Sequence, residues 1–133
     1  MGYKKIDGIN YILMRYDGKI LLQKRDNKKG IRCPKTLAFP GGRREGEESI
    51  LKTAIREIKE ETGIYLSPQR LKFLSDIVYP WGEKNRFFIV HLEIEEIPKL
   101  IEGKEIWKYL DEVKKLKLAA NQKEIIDLLK GVL

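Results

Sequence analysis

The sequence predicts a layered α/β or α+β domain, on three observations. Several short β-prone runs are interspersed with helical patterns, which implies a sheet covered by helices. One stretch, Glu47 to Thr62, has strong helical periodicity and ends at Gly63. The 133 residues, 42% of them hydrophobic, suit one compact domain with a real core, taken as residues 1–133.

Taken in order, Ile6 to Arg15 is mostly apolar and reads as a strand. Asp17-Gly18 gives a turn, and "KILLQKR" (Lys19 to Arg25) reads as the partner strand of a hairpin. Asp26 to Thr36 is polar, contains Gly30 and Pro34, and reads as a loop. Leu37 to Phe39 is a short strand before the Pro40-Gly41-Gly42 turn. Beyond the strong helix, Arg70 to Val78 and Arg86 to Ile94 read as strands, with Pro80-Trp81-Gly82 in the loop between them. A short helix over Leu110 to Leu116 and a last one from Asn121 to Leu129 complete the chain, with Asn121 suited to an N-cap.

The formal net charge is +7, so the surface attracts anions: nucleic acid, acidic lipid or small phosphorylated ligands. The lysines are scattered, so charge alone does not choose among these. Cys33 is the sole cysteine, which excludes an intrachain disulfide. No apolar run has membrane-spanning length, and Met1 to Asp7 lacks the apolar core of a signal segment. A cytoplasmic protein is the expectation.

The strong helix raises a specific question. Arg56, Glu57, Glu60 and Glu61 fall within six positions of a basic chain. At helical spacing the three carboxylates span an arc of about 100°. Leu51, Ala54, Ile55 and Ile58 form the adjoining face and are expected to pack on the sheet. Like charges at i,i+3 and i,i+4 repel, and a divalent cation with a preference for carboxylate oxygen removes the conflict. A solvated acidic face, paired with nearby lysines and arginines, is the plainer alternative. Arg56 can pair with Glu60 across one turn, and Pro40-Gly41-Gly42 offers a backbone that can approach a ligand closely.

Gly42, five residues, Glu48, seven residues, then "REIKEETGI" (Arg56 to Ile64) resembles the complete Nudix box, residues 42–64. One small departure is Glu47, where many relatives have glycine; here Gly46 lies one position earlier. The resemblance implies an α/β/α sandwich with a mixed sheet. It also implies a hydrolase of a nucleoside diphosphate linked to another group, using Mg²⁺ or Mn²⁺ and a water nucleophile. By that resemblance Glu57, Glu60 and Glu61 hold or organise the metals, the Gly41 carbonyl is a further ligand, and Glu48 is a peripheral ligand or support. Arg56 is implied to orient Glu57. The chemistry agrees, because metals neutralise a polyphosphate and acidify the attacking water while a carboxylate takes the proton. Glu57 and Glu102 both stand as that acceptor.

Further segments resemble the MutT-type branch. "LIEGKEIW" (Leu100 to Trp107) matches a late segment whose glutamate reaches the metals, which implicates Glu102, with Glu105 as the nearest substitute. "LLQKRDNKKGI" and "LAFPGG" place Arg25 against the phosphates and Phe39 beside the base or ribose, or simply in the core. "LAANQ" (Leu118 to Gln122) matches a segment with a base-reading asparagine, so Asn121 is a base reader or only a helix cap. Pro80, sixteen residues beyond Ile64, is a soft marker of ADP-ribose hydrolases, and its neighbours Tyr79 and Trp81 could stack on a base or pack on the sheet. Lys35 stands where the coenzyme A branch has glycine.

The expected activity is therefore MutT-like cleavage of a (d)NTP or oxidised purine nucleotide, giving a nucleoside monophosphate and pyrophosphate. ADP-ribose or a dinucleoside polyphosphate is the runner-up. A catalytically silent nucleotide- or RNA-binding module is the alternative of another class. The partner expected is a small nucleotide, with neither membrane nor nucleic acid, and a monomer or homodimer is equally compatible.

Overall fold

A computed structural model describes residues 5–24, 36–100 and 105–132. Its strands are β1 (Gly8–Met14), β2 (Ile20–Lys24), β3 (Leu37–Ala38), β4 (Gly41–Arg43), β5 (Lys72–Val78), β6 (Lys84–His91) and β7 (Glu105–Lys108); its helices are α1 (Ile50–Thr62), α2 (Leu110–Val113) and α3 (Glu124–Val132). The strands form one mixed sheet in the order β3-β2-β1-β6-β5, with β4 added to β1 and β7 to β2.

β1 is the organising strand. It runs parallel to β6 along its whole length, from Gly8↔Asn85 to Met14↔His91. On its other side it meets β2 only at Met14↔Ile20, beyond the Asp17-Gly18 turn, and β4 takes up its N-terminal half antiparallel, with Asn10 opposite Gly41. Alternation along β1 then feeds two cores. Ile9, Tyr11 and Leu13 pack with Phe88, Val90 and the α1 residues Ala54 and Ile58. Ile12 packs with Phe87 and Ile89, Phe39, and Ile125, Ile126 and Leu129 of α3. The result is the α/β/α sandwich with a mixed sheet. Among the described residues no helix is long and apolar enough to cross a membrane.

Several boundaries differ from expectation. α1 begins at Ile50 rather than Glu47, because Ser49 stays extended and its hydroxyl accepts from Lys52 N at 3.1 Å. Gly63 ends the helix as expected, at φ 78°, a left-handed conformation that glycine adopts without steric cost. Leu51 is 41% exposed and lies off the packing face. β4 and β7 were not expected as strands, and a 3₁₀ turn, Pro68–Arg70, precedes β5. The last helix starts at Glu124, so Asn121 is not its cap. Asn121 instead donates from Nδ2 to Val78 O at 2.9 Å.

Candidate active site

Two elements build the site: the Pro40–Arg43 strap, laid along β1, and the α1 face above it. The double glycine has a steric cause. A Cβ on Gly41 would collide with Ile9 O and the Asn10 side chain, and one on Gly42 would coincide with the Glu57 carboxyl. The helix carboxylate and the strap backbone are therefore in direct apposition.

Arg56 gathers the acids around it. Its Nε and Nη2 donate to the two carboxylate oxygens of Glu48 at 2.7 and 3.0 Å. Nη1 donates to Glu57 Oε1 at 2.9 Å and to Glu60 Oε2 at 3.3 Å, and Nη2 also reaches Arg43 O at 3.0 Å. One planar fork thus links α1, the strap and the segment before the helix. Glu48 additionally accepts from Glu45 N at 2.9 Å and from Thr53 Oγ1 at 3.1 Å. Its hydrogen bond to Arg56 is the chief reason its carboxyl is pulled down to about 2.

The remaining acids differ in depth. The Glu60 side chain is 59% exposed, whereas that of Glu57 is 15% exposed. Burial raises the Glu57 carboxyl despite its pairing with Arg56. Glu61 points inward. Its Oε1 accepts from Tyr11 Oη at 3.0 Å, and Gln23 also donates to it. Burial, with the neighbouring Glu57 charge adding to it, pushes Glu61 up to about 7. Burial is thus the main reason both carboxyls are raised, and the Glu57 charge adds to it at Glu61.

The strap is held from below by a buried polar chain. Asn10 Nδ2 donates to Phe39 O at 3.0 Å and lies 3.4 Å from Pro40 O. Asn10 Oδ1 accepts from Tyr79 Oη at 2.9 Å and from Asn85 Nδ2 at 2.8 Å. Gln122 closes the chain, donating to Tyr79 Oη at 2.9 Å and accepting from Phe39 N at 2.9 Å.

The expected substrate contacts fare differently. Phe39 is 2% exposed and sits edge-on to Phe87 at 6.1 Å, so its ring is a core residue that offers no face to a base. Trp81 stacks on Tyr79, with ring centroids 5.0 Å apart, and its Nε1 donates to Glu83 at 3.3 Å. It is partly buried in the β5–β6 turn. Arg25 and Glu102 lie outside the described residues, as does Cys33; Glu105 opens β7 opposite Gln23. Sequence reasoning missed Tyr11, Gln23, Asn10 and Gln122. The available signal was polar groups at inward positions, as with Asn10 and Tyr11 inside "GINYILM".

The sequence model of the NUDIX domain matches residues 4–129, and the chain belongs to that family. It is a Nudix hydrolase, a class that acts on phosphoric anhydride bonds with divalent metal ions. It is 28% identical over 130 residues to the uncharacterized Nudix hydrolase YvcI of Bacillus subtilis, across 92% of this chain and 78% of that one. It is 40% identical over 75 residues to the ADP-ribose pyrophosphatase of Methanocaldococcus jannaschii, across 49% of this chain and only 40% of that relative. A mutT/nudix family protein from Listeria innocua shares the fold, with a TM-score of 0.79 at 23% identity over 97% of this chain and 95% of that one.

The residues present fit a divalent cation by donor chemistry. The corner offers carboxylate and carbonyl oxygens, the donors that Mg²⁺ and Mn²⁺ prefer, and burial with the neighbouring Glu57 charge raises the Glu61 carboxyl. Among the described residues, however, no three acidic, histidine or cysteine side chains are gathered into a ready cage. Arg56 holds Glu57 and Glu60 from one side instead.

Proposed function

We propose that this chain is a metal-dependent nucleotide pyrophosphohydrolase that cleaves a nucleoside diphosphate linked to another group. The preferred substrate is a (d)NTP or an oxidised purine nucleotide, giving a nucleoside monophosphate and pyrophosphate. The observation that carries this reading is the apposition of the Glu57 carboxylate to the Gly42 backbone, with the partly buried Glu61 carboxylate one helical turn further on. Such a corner needs an added cation, and a polyphosphate brings its own charge to be neutralised.

Glu57, Glu60 and Glu61 are the residues that would hold Mg²⁺ or Mn²⁺, with the Gly41 carbonyl as a further ligand and Glu48 as support. The bound cation would neutralise the phosphates and make the attacking water more acidic. Arg56 fixes the Glu57 carboxylate by its 2.9 Å hydrogen bond and keeps it facing the strap. Tyr11 and Gln23 hold Glu61. The water oxygen bonds to the β-phosphorus, the bridging oxygen leaves with the nucleoside monophosphate, and Glu57 or Glu102 takes the proton. The net charge of +7 favours capture of the anion.

ADP-ribose is the second reading, favoured by the 40% identity to an ADP-ribose pyrophosphatase over 75 residues that cover about half of this chain. Its products would be AMP and ribose 5-phosphate. The test is product release with Mg²⁺ and then Mn²⁺ from dNTPs, 8-oxo-dGTP, ADP-ribose and diadenosine polyphosphates, with Glu61→Gln as control. Pyrophosphate from a dNTP, lost in the control, supports the first reading, and AMP from ADP-ribose supports the second. Ligand binding without metal-dependent turnover would instead favour a silent binding module.

A further inference from the structure

We infer that Gln122 and Tyr79 are positioning residues that set the Gly41 strap from the opposite side of the sheet. The inference rests on the reading of that strap and the α1 carboxylates as a cation site.

Four polar side chains are buried together: Gln122 at 4% exposure, Tyr79 at 5%, Asn85 at 6% and Asn10 at 7%. Their hydrogen bonds converge on two consecutive residues, Phe39 and Pro40, where the chain enters the strap. Phe39 N is held by Gln122, and Phe39 O and Pro40 O by Asn10. The peptide groups leading into Gly41 are thus clamped in two directions. Tyr79 Oη is the joint, accepting from Gln122 and donating to Asn10. Asn85 Oδ1 is left buried without a hydrogen-bond partner, while the bonds that are made fix the Phe39 and Pro40 peptide groups in position.

The network also reaches outward. Tyr79 opens the turn that carries Trp81, and Trp81 lies flat on its ring. Gln122 adjoins Asn121 in a turn where Ala120 takes φ 50°, an unfavourable backbone for a residue with a Cβ. Asn121 ties that turn to Val78 O, and Ala119 N donates to Leu37 O at 2.8 Å. The C-terminal turn, the β5–β6 turn and the strap are one connected unit, so whatever docks against the first two bears on where the Gly41 carbonyl lies.

The test is Mn²⁺ binding to the full chain, read from the loss of the free-ion EPR signal, for wild type, Tyr79→Phe, Gln122→Glu and Glu61→Gln, with melting temperature recorded in EDTA. Tyr79→Phe removes only the joint, and Gln122→Glu keeps the acceptor for Phe39 N but loses the donor. Both variants are expected to weaken Mn²⁺ binding about tenfold while remaining folded. A lowered melting temperature with Mn²⁺ affinity within about twofold of wild type would overturn the inference and leave a purely structural network. In that case loss of binding in Glu61→Gln would show that the cation site itself stands. Absence of Mn²⁺ binding in wild type would overturn both. Should Gln122→Glu fail to fold, Tyr79→Phe alone decides.

Discussion

Gly42 and Glu57 compete for the same space: a Cβ on Gly42 would overlap sterically with all three carboxyl-group atoms of Glu57. Gly42→Ala is therefore expected to push that carboxylate off the strap and lower kcat about 100-fold or more, since small misplacements at a reacting centre are that costly. Gly46→Ala is the contrast. Gly46 takes φ 52° with open space around it, so its replacement should cost about 1 kcal/mol of stability and spare the chemistry. Steady-state kinetics and urea unfolding of the two variants separate the effects.

Glu61 gives the metal-free protein a pH-dependent weakness. Its carboxyl is raised from 4.5 to about 7, so the folded state favours the protonated form. The associated stability is fully present below the unfolded value near 4.5 and is lost as pH rises through about 7. In EDTA, wild type is expected to lose about 1–3 kcal/mol between pH 4.5 and 8 through this group. Glu61→Gln should flatten that dependence and be the more stable protein at pH 8. Mg²⁺ should then restore wild type and not the variant. Denaturant unfolding at several pH values, with and without Mg²⁺, measures all three.

Arg56 cannot be exchanged for lysine. A single ammonium cannot serve Glu48 bidentately while also reaching Glu57, Glu60 and Arg43 O. Arg56→Lys is expected to lower kcat about 100-fold, with a stability loss of about 1–2 kcal/mol because these bonds are partly solvated. Retention of more than about a tenth of wild-type kcat would argue against Arg56 as the orienting group.

Ala120 offers the opposite sign. It holds φ 50°, where a Cβ is unfavourable. Ala120→Gly should relieve that cost and raise stability by up to about 1 kcal/mol, offset in part by the greater freedom of glycine in the unfolded chain. The denaturation midpoint reads this directly.

What was legible in the sequence follows from what is local. The Nudix box is a spacing pattern within one turn and one helix, so Gly42, Glu48, Arg56, Glu57, Glu60 and Glu61 could be found in line. The main strands showed in their apolar runs, and Gly63 marked the helix end. Gly41-Gly42-Arg43 carries no apolar alternation, so β4 becomes a strand only because β1 lies beside it. β7 likewise depends on pairing with β2. The polar network joins Asn10 to Asn85 across 75 residues and Phe39 to Gln122 across 83, distances that no local pattern reports. Phe39, which the sequence left between a base neighbour and a core residue, is buried in the core.

The parallel β1–β6 ladder also imposes an order on folding. The β5–β6 hairpin is closed by a short turn and can form by itself, whereas β1 gains its long partner only after a large loop closes. During synthesis β1 leaves the ribosome first and must wait about 4–15 seconds for β6 to be made. Until then Ile9, Tyr11, Ile12 and Leu13, all fully buried in the finished protein, have only β2 and β4 as strand neighbours. The nascent chain is therefore most exposed to chaperone capture or misassociation at β1 in the interval before β6 is made.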